Sequence, residues 1–187
     1  MSSLSNIYKW ASASVALVPG FTIILTDLGT PPSISKVIYG GIIEACGAFT
    51  FLLLYLNRKK ITAIPDAKIN RTSITLFVLF LVSLLIYVMF FNSQVVYSSK
   101  YDTKLFFPFW YKNDLQYMVQ QAGSKLNAIA SYGPQAVADG IANSQPYLEI
   151  TSLLFTLLYV SVFEYLVIGF GLPGFKASDA IEPEQAS

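Results

Sequence analysis

The stretch Asn57-Arg58-Lys59-Lys60-Ile61-Thr62-Ala63-Ile64-Pro65-Asp66-Ala67-Lys68-Ile69-Asn70-Arg71 holds five basic residues and one acid, and a long apolar run lies on each side of it. A short, strongly basic loop between two apolar runs is what a cytoplasmic connection between membrane helices looks like, because Lys and Arg are retained on the inner side. Placing this loop inside the cell fixes the sidedness expected for the rest of the chain. The inverted arrangement would put five of the twelve positive residues in one short outer loop. Asn70-Arg71-Thr72 is formally a glycosylation sequon, and inside the cell it stays unmodified.

Working outward, the apolar runs give four expected spans, at about 10–26, 37–56, 73–91 and 148–171, each close to the roughly 20 residues that cross a bilayer as a helix. The composition agrees. Of 187 residues 54% are hydrophobic and 12% charged, against roughly 25% charged in a soluble domain. Mean hydropathy is +0.54. The fold class expected is an all-α integral membrane protein of four helices, both termini in the cytoplasm, with a small helical cap outside between the third and fourth. The first span, with Pro19-Gly20 at its middle, should kink there. No small-x-small cleavage site follows it cleanly, so it reads as a retained helix rather than a signal peptide. Residues 27–36, with Pro31-Pro32 and Gly29, read as an outer turn.

Residues 92–147 form the expected outer loop. Its four bases, Lys100, Lys104, Lys112 and Lys125, are set against Asp102, Asp114 and Asp139, a balance an outer loop tolerates. Leu105-Phe106-Phe107-Pro108-Phe109-Trp110-Tyr111 cannot span a membrane. Phe106, Phe107, Phe109 and Trp110 are expected to anchor at the outer interface or to contact a neighbouring subunit. Residues 113–132 show helical spacing and are expected to form one helix. Gly133-Pro134 breaks it and starts a second, alanine-rich helix over 134–143. Gly169, Gly171 and Pro173-Gly174 are expected to stop the fourth span, leaving 172–187 as a disordered tail.

The sequence holds no histidine and a single cysteine, Cys46. Imidazole-ligated metals or haem, His-dependent nucleophilic catalysis and an intrachain disulfide are therefore excluded. No phosphate-binding glycine loop and no acid-rich metal loop occurs, so neither cofactor nor metal is expected, and nothing frames an enzyme site. A net charge of +1 gives no global field for nucleic acid. The expected partners are the lipid bilayer, further copies of the chain and, in the alternative below, other membrane subunits.

Ionisable groups inside a membrane are functional candidates. Glu44 shares a helical face with Gly40 and Gly47. That face suits close helix packing around a protonated carboxyl or an ion path. Glu164 lies nearer the inner end of the fourth span. On the same span Glu149, Ser152, Thr156, Tyr159 and Phe163 recur at spacings of three and four and form one stripe, polar outside and aromatic inside. A pore-lining helix has this pattern, with Phe163 as a constriction that gates by dewetting. The competing account has the hydroxyls bonding their own helix carbonyls.

Four spans with a large outer loop before the fourth resemble the tetraspanins in topology. A single cysteine departs from that family's disulfide-bonded loop and Cys-Cys-Gly motif, so the chain is not placed in it. The leading expectation is an oligomeric channel or pore-forming protein, with a signal-opened effector channel as one version. The alternative is an accessory or scaffold subunit of a larger membrane complex.

Overall fold

The computed structural model describes residues 36–179, and the side chains of residues 40–176. The expected first span and the turn after it, the end of the tail beyond 179, and the N-terminus lie outside the described residues. Within them the protein is mostly helical. In chain order the elements are α1 (Lys36–Leu56), α2 (Arg58–Thr62), α3 (Asp66–Gln94), β1 (Val95–Ser98), β2 (Thr103–Phe106), α4 (Asn113–Ala122), α5 (Lys125–Tyr132), α6 (Pro134–Asn143) and α7 (Gln145–Asp179). Two of them, α3 and α7, are long and apolar enough to cross a membrane. At 1.5 Å per residue the 29 residues of α3 reach about 43 Å, more than the hydrocarbon core of about 30 Å.

The described chain divides into two compact units, one made of residues 36–85 and 158–179, the other of 86–157. In the first, a core of Ile61, Ile69 and Phe175 is packed by Phe51, Leu54, Ile64 and Leu172. The basic loop is thus not a bare linker. Ile61 and Ile69 are its two buried apolar anchors, and its charged residues are exposed except for Arg58, which is half-buried over the Tyr55 ring. Phe175 meets Phe51 at 5.3 Å between ring centres. Along α7, a Cβ at Gly169 would touch Leu76 and Phe77 of α3 at 3.6 Å, and Phe77 lies edge-on to Phe170 at 5.0 Å.

These contacts explain why α7 runs past the expected stop. The sequence reading ends the helix at Gly169–Gly174 and leaves 172–187 disordered. The helix instead continues through Pro173 to Asp179. Gly169, Gly171 and Gly174 are buried, and small residues of this kind let backbones approach closely. Tertiary packing of Phe175 and Lys176 overrides the local stop signals.

The second unit has a core of Phe107, Leu115, Ala128, Ile129, Val137 and Ile141. Here one short hairpin is added to the helices expected. Val95-Val96-Tyr97, β-branched and aromatic, pairs antiparallel with 103–106 in the register Val95↔Phe106 to Ser98↔Thr103, as β propensity favours. Asp102 takes positive φ, 49°, in the turn, and the Tyr97 hydroxyl donates to its carboxylate at 2.8 Å.

The single helix expected over 113–132 is two. Gly123 closes α4 in the left-handed region (φ 77°), and the Ser124 hydroxyl accepts from the Asn127 amide at 3.1 Å to cap α5, so the chain turns where an amphipathic pattern alone reads through. The Gly133-Pro134 break falls where expected, with Pro134 in the first turn of α6. α1 matches the expected second span within one residue. α3 starts seven residues before its expected span, just after Pro65, with Asp66 in its first turn where an acid is favoured.

Candidate functional site

The residues expected to line a path all lie on α7, and burial sorts them. Glu149 is exposed, and its carboxylate accepts from the Gln145 amide at 3.0 Å. Ser152 and Thr156 are half-buried, and the Thr156 hydroxyl donates to the Ser152 carbonyl at 2.8 Å. Tyr159 and Phe163 are buried at 3% and 4% exposure, edge to face at 5.1 Å. Glu164 is half-buried beside them. The stripe therefore runs from a solvated carboxylate to a dry aromatic pair. Phe155, Tyr159, Phe163 and Val167 recur every four residues and are all buried, so the aromatic end of the stripe belongs to the inward-packed face of the helix. On α1, Glu44 is half-buried, and a Cβ at Gly40 would lie 4.0 Å from its carboxylate, which places the two on the common face that their spacing implies.

The aromatic segment 106–111 behaves differently from its four members' expected common role. Phe106 and Phe107 point into the protein's own interior, Phe107 with no exposure at all. Phe106 and Phe109 close on Phe155 at 5.4 and 6.0 Å, and Tyr87 and Phe90 complete the ring cluster around Phe155. Only Trp110, 54% exposed, stays outward. The extreme hydrophobicity of this segment is largely consumed in a core, which a run of aromatics around a proline does not by itself reveal.

Two buried hydroxyls hold this segment in place. Thr151 Oγ1 accepts from the Phe109 amide at 3.0 Å and donates to the Tyr147 carbonyl at 2.7 Å. Ser144 Oγ accepts from the Lys112 amide at 3.0 Å and donates to the Gly140 carbonyl at 3.2 Å. Each hydroxyl bonds back to its own helix, as Ser and Thr do in helices, and in the same geometry receives a loop N–H that would otherwise be buried unpaired. The sequence carries no signal that separates these two hydroxyls from Ser152 or Thr156.

Lys125 is the one lysine of residues 92–147 drawn inward. Its ammonium donates to the Ser93 carbonyl at 2.5 Å and to Gln94 Oε1 at 2.7 Å, at the C-terminal end of α3 where a cation is favoured. It also lies 5.5 Å above the Phe107 ring and 6.0 Å above that of Tyr111. Burial lowers its pKa to about 8. The acceptors and rings pull the other way and favour the ammonium form. Lys104 sits over Phe91 at 5.5 Å, and Lys112 is exposed. The three lysines do not converge on a common anion site.

In the other unit, Lys176 makes a structural contact from a stretch whose sequence reads as a tail. Its ammonium donates to the Thr62 and Ile64 carbonyls, both at 2.6 Å, and lies 3.2 Å from Asp66. It thereby ties the last turns of α7 to the basic loop. A lysine after a long apolar helix is a recognisable C-terminal signal, but which carbonyls it finds is a tertiary matter.

Comparison with protein-family models, with curated proteins and with solved structures finds no match for this chain.

Proposed function

We propose that the protein is an integral membrane protein of four spans, with both termini in the cytoplasm of a cell membrane and 92–147 outside, and that several copies assemble into an ion-passing channel. Membrane placement is supported by α3, which leaves Ile74, Leu81, Leu85 and Met89 exposed together on the broad face opposite its packed residues. An apolar helix with almost no polar face and little internal burial requires lipid or further helices around it. The orientation rests on the basic loop.

The channel reading rests on one observation: the graded row on α7, from solvated Glu149 through Ser152 and Thr156 to the dry Tyr159–Phe163 pair. A polar vestibule that ends at an aromatic constriction is the arrangement of a hydrophobic gate. Four helices of one chain enclose little more than side chains, so conduction needs several copies around an axis. In this reading the inward packing of Tyr159 and Phe163 corresponds to a non-conducting arrangement.

A second reading, an accessory subunit of a larger membrane complex, is favoured by a different observation. The Thr156 hydroxyl is satisfied by its own helix, and the aromatic pair packs as ordinary core. Planar-bilayer recording on the purified chain, with its mass measured in detergent, separates the two. The channel reading expects an oligomer with conductance altered by Glu164→Gln and Phe163→Ala. A silent monomer leaves the accessory reading.

A further inference from the structure

The outer unit carries a cleft that none of the foregoing uses. It measures about 330 Å³ and is lined by Phe109, Trp110, Tyr111, Gln116, Val119 and Gln120. That volume is at the small end of the roughly 300–1,000 Å³ of small-molecule sites. Its floor is rigid. The Phe109 backbone is held by Thr151, and its ring stacks on Phe155 with 13° between the planes. Trp110 meets Phe109 at 66° and 5.9 Å, so the two rings form a corner with the indole outermost. Opposite the corner, Gln116 and Gln120 stand one turn apart on the same face of α4.

The chemistry of the lining is selective. Every polar group it offers is uncharged: two carboxamides, a phenol hydroxyl and an indole N–H. Burial pushes the Tyr111 phenol above its usual range, which keeps it a neutral donor and acceptor at any physiological pH. No Lys, Arg, Asp or Glu lines the cleft, so neither a phosphate nor an organic cation finds its counter-charge there. Among the described residues, the side chains of Trp110, Gln116 and Gln120 make no hydrogen bond within the chain. Two amides one helical turn apart present paired donors and acceptors, which match adjacent hydroxyls. An aromatic face carries negative potential and accepts the slightly positive C–H face of a saturated ring. A ligand with a hydroxyl-bearing edge and a C–H face, carrying no charge, is a sugar in its ring form.

We propose that the cleft between the Phe109–Tyr111 segment and α4 binds one neutral saccharide ring, stacked on Trp110 and hydrogen-bonded along its edge by Gln116 and Gln120. The ring can belong to a soluble glycan or to the headgroup of a glycolipid. Both offer the same chemistry. A proline-rich peptide also uses aromatic grooves, but it needs an extended one, since each turn of its helix advances about 9 Å. Here six residues line a single short, open depression. The site lies within one unit and stands or falls independently of conduction.

The test uses the full chain in phosphatidylcholine nanodiscs, prepared in a detergent without a sugar headgroup because a maltoside would itself compete. Trp10→Phe leaves Trp110 as the one indole, and its emission is followed during titration with maltose or N-acetylglucosamine. Parallel nanodiscs contain a glucosyl diacylglycerol. A saturable blue shift with half-saturation on the order of 1 mM is expected, weakened about tenfold or more in Gln116→Ala/Gln120→Ala with the thermal midpoint unchanged. Response to the soluble sugars identifies a free glycan as the source, and response to the glycolipid alone identifies the membrane. No saturable response in either arm up to 100-fold above that concentration overturns the proposal. So does equal binding by the double variant, or tighter binding of a proline-rich peptide at the same residues.

Discussion

Thr151→Val is the sharpest perturbation of the unit formed by residues 86–157. Valine has the shape of threonine and lacks the hydroxyl, so packing around this fully buried side chain is preserved and only polarity changes. The structure says what is lost. The Phe109 amide, 3.0 Å from Oγ1, is left as a buried donor without an acceptor, and the bond to the Tyr147 carbonyl at 2.7 Å disappears. That carbonyl keeps its helical partner, so its loss is the smaller one. An orphaned buried N–H costs about 1–3 kcal/mol, and a value near 2 kcal/mol is expected. Ser144→Ala orphans the Lys112 amide in the same way and should cost a similar amount. The two hydroxyls clamp one short segment, so the double variant should cost less than the sum of the two, about 2–4 kcal/mol, because one released end already frees the other. The assay is amide hydrogen exchange in nanodiscs, read at Phe109 and Lys112, with urea unfolding of the outer unit followed by Trp110 emission in the Trp10→Phe background. Protection at Phe109 should fall about thirtyfold in Thr151→Val, the factor that corresponds to roughly 2 kcal/mol. A change below about 0.3 kcal/mol, or loss of protection spread evenly over α4–α6 with none concentrated at Phe109, would refute the clamp.

Other expectations follow from single contacts. Lys125 has a folded pKa of about 8 against the usual 10.5. Between those values the unfolded chain holds a proton that the folded one has released, so stability of the outer unit should rise with pH from about 8. Tyr111, held protonated by burial, reverses the trend once the pH passes its unfolded value of about 10. Thermal midpoints at pH 7, 8.5 and 9.5 should increase in the native chain and stay level in Lys125→Met, and a falling trend in the native chain contradicts this. Lys176→Ala removes the donor shared by Thr62 and Ile64 and should speed trypsin cleavage at Lys59 and Lys60. Asp66→Asn should change it little, because Asp66 is 78% exposed and exposed ion pairs contribute little. Gly140→Val should destabilise by about 1–3 kcal/mol, since a Cβ there already meets Leu115 at 3.4 Å. Gly41→Ala, with open space at that position, should be neutral or stabilising in the same melts. For sidedness, cysteines at Ser99 and Ala63 in a Cys46→Ser background should label from outside and inside respectively. Ser99 is exposed just after the end of β1, whereas its neighbour Ser98 is buried in the hairpin.

How far residues alone carried the reading depends on the range of the forces involved. α1 was legible to within a residue because its boundaries are set locally, by a run of apolar residues ending at Asn57-Arg58. α6 was legible because Gly133-Pro134 is punctuation that no tertiary contact needs to complete. The end of α7 was not, since Gly171, Pro173 and Gly174 are helix breakers in isolation and become packing surface only once Phe175 has Phe51 to lie against. The hairpin was hidden for a similar reason. Val95-Val96-Tyr97 is too short to show a period of two, and it follows a helix without a break. Of the candidate stripe on α7, the common face of its residues could be read from spacing, but whether that face looks toward its own core or toward a neighbour is a property of the fold. The clamp hydroxyls Ser144 and Thr151 and the cage around Lys125 depend on partners 31 to 42 residues away, beyond the reach of any local pattern.

Conductance of the purified chain reconstituted alone in planar bilayers bears most directly on the account. Discrete openings are expected from an oligomer, cation preference reduced by Glu149→Gln, and a higher open probability in Phe163→Ala as the dry constriction wets. Silent bilayers from a chain that runs as a folded monomer, with Phe163→Ala equally silent, would contradict it.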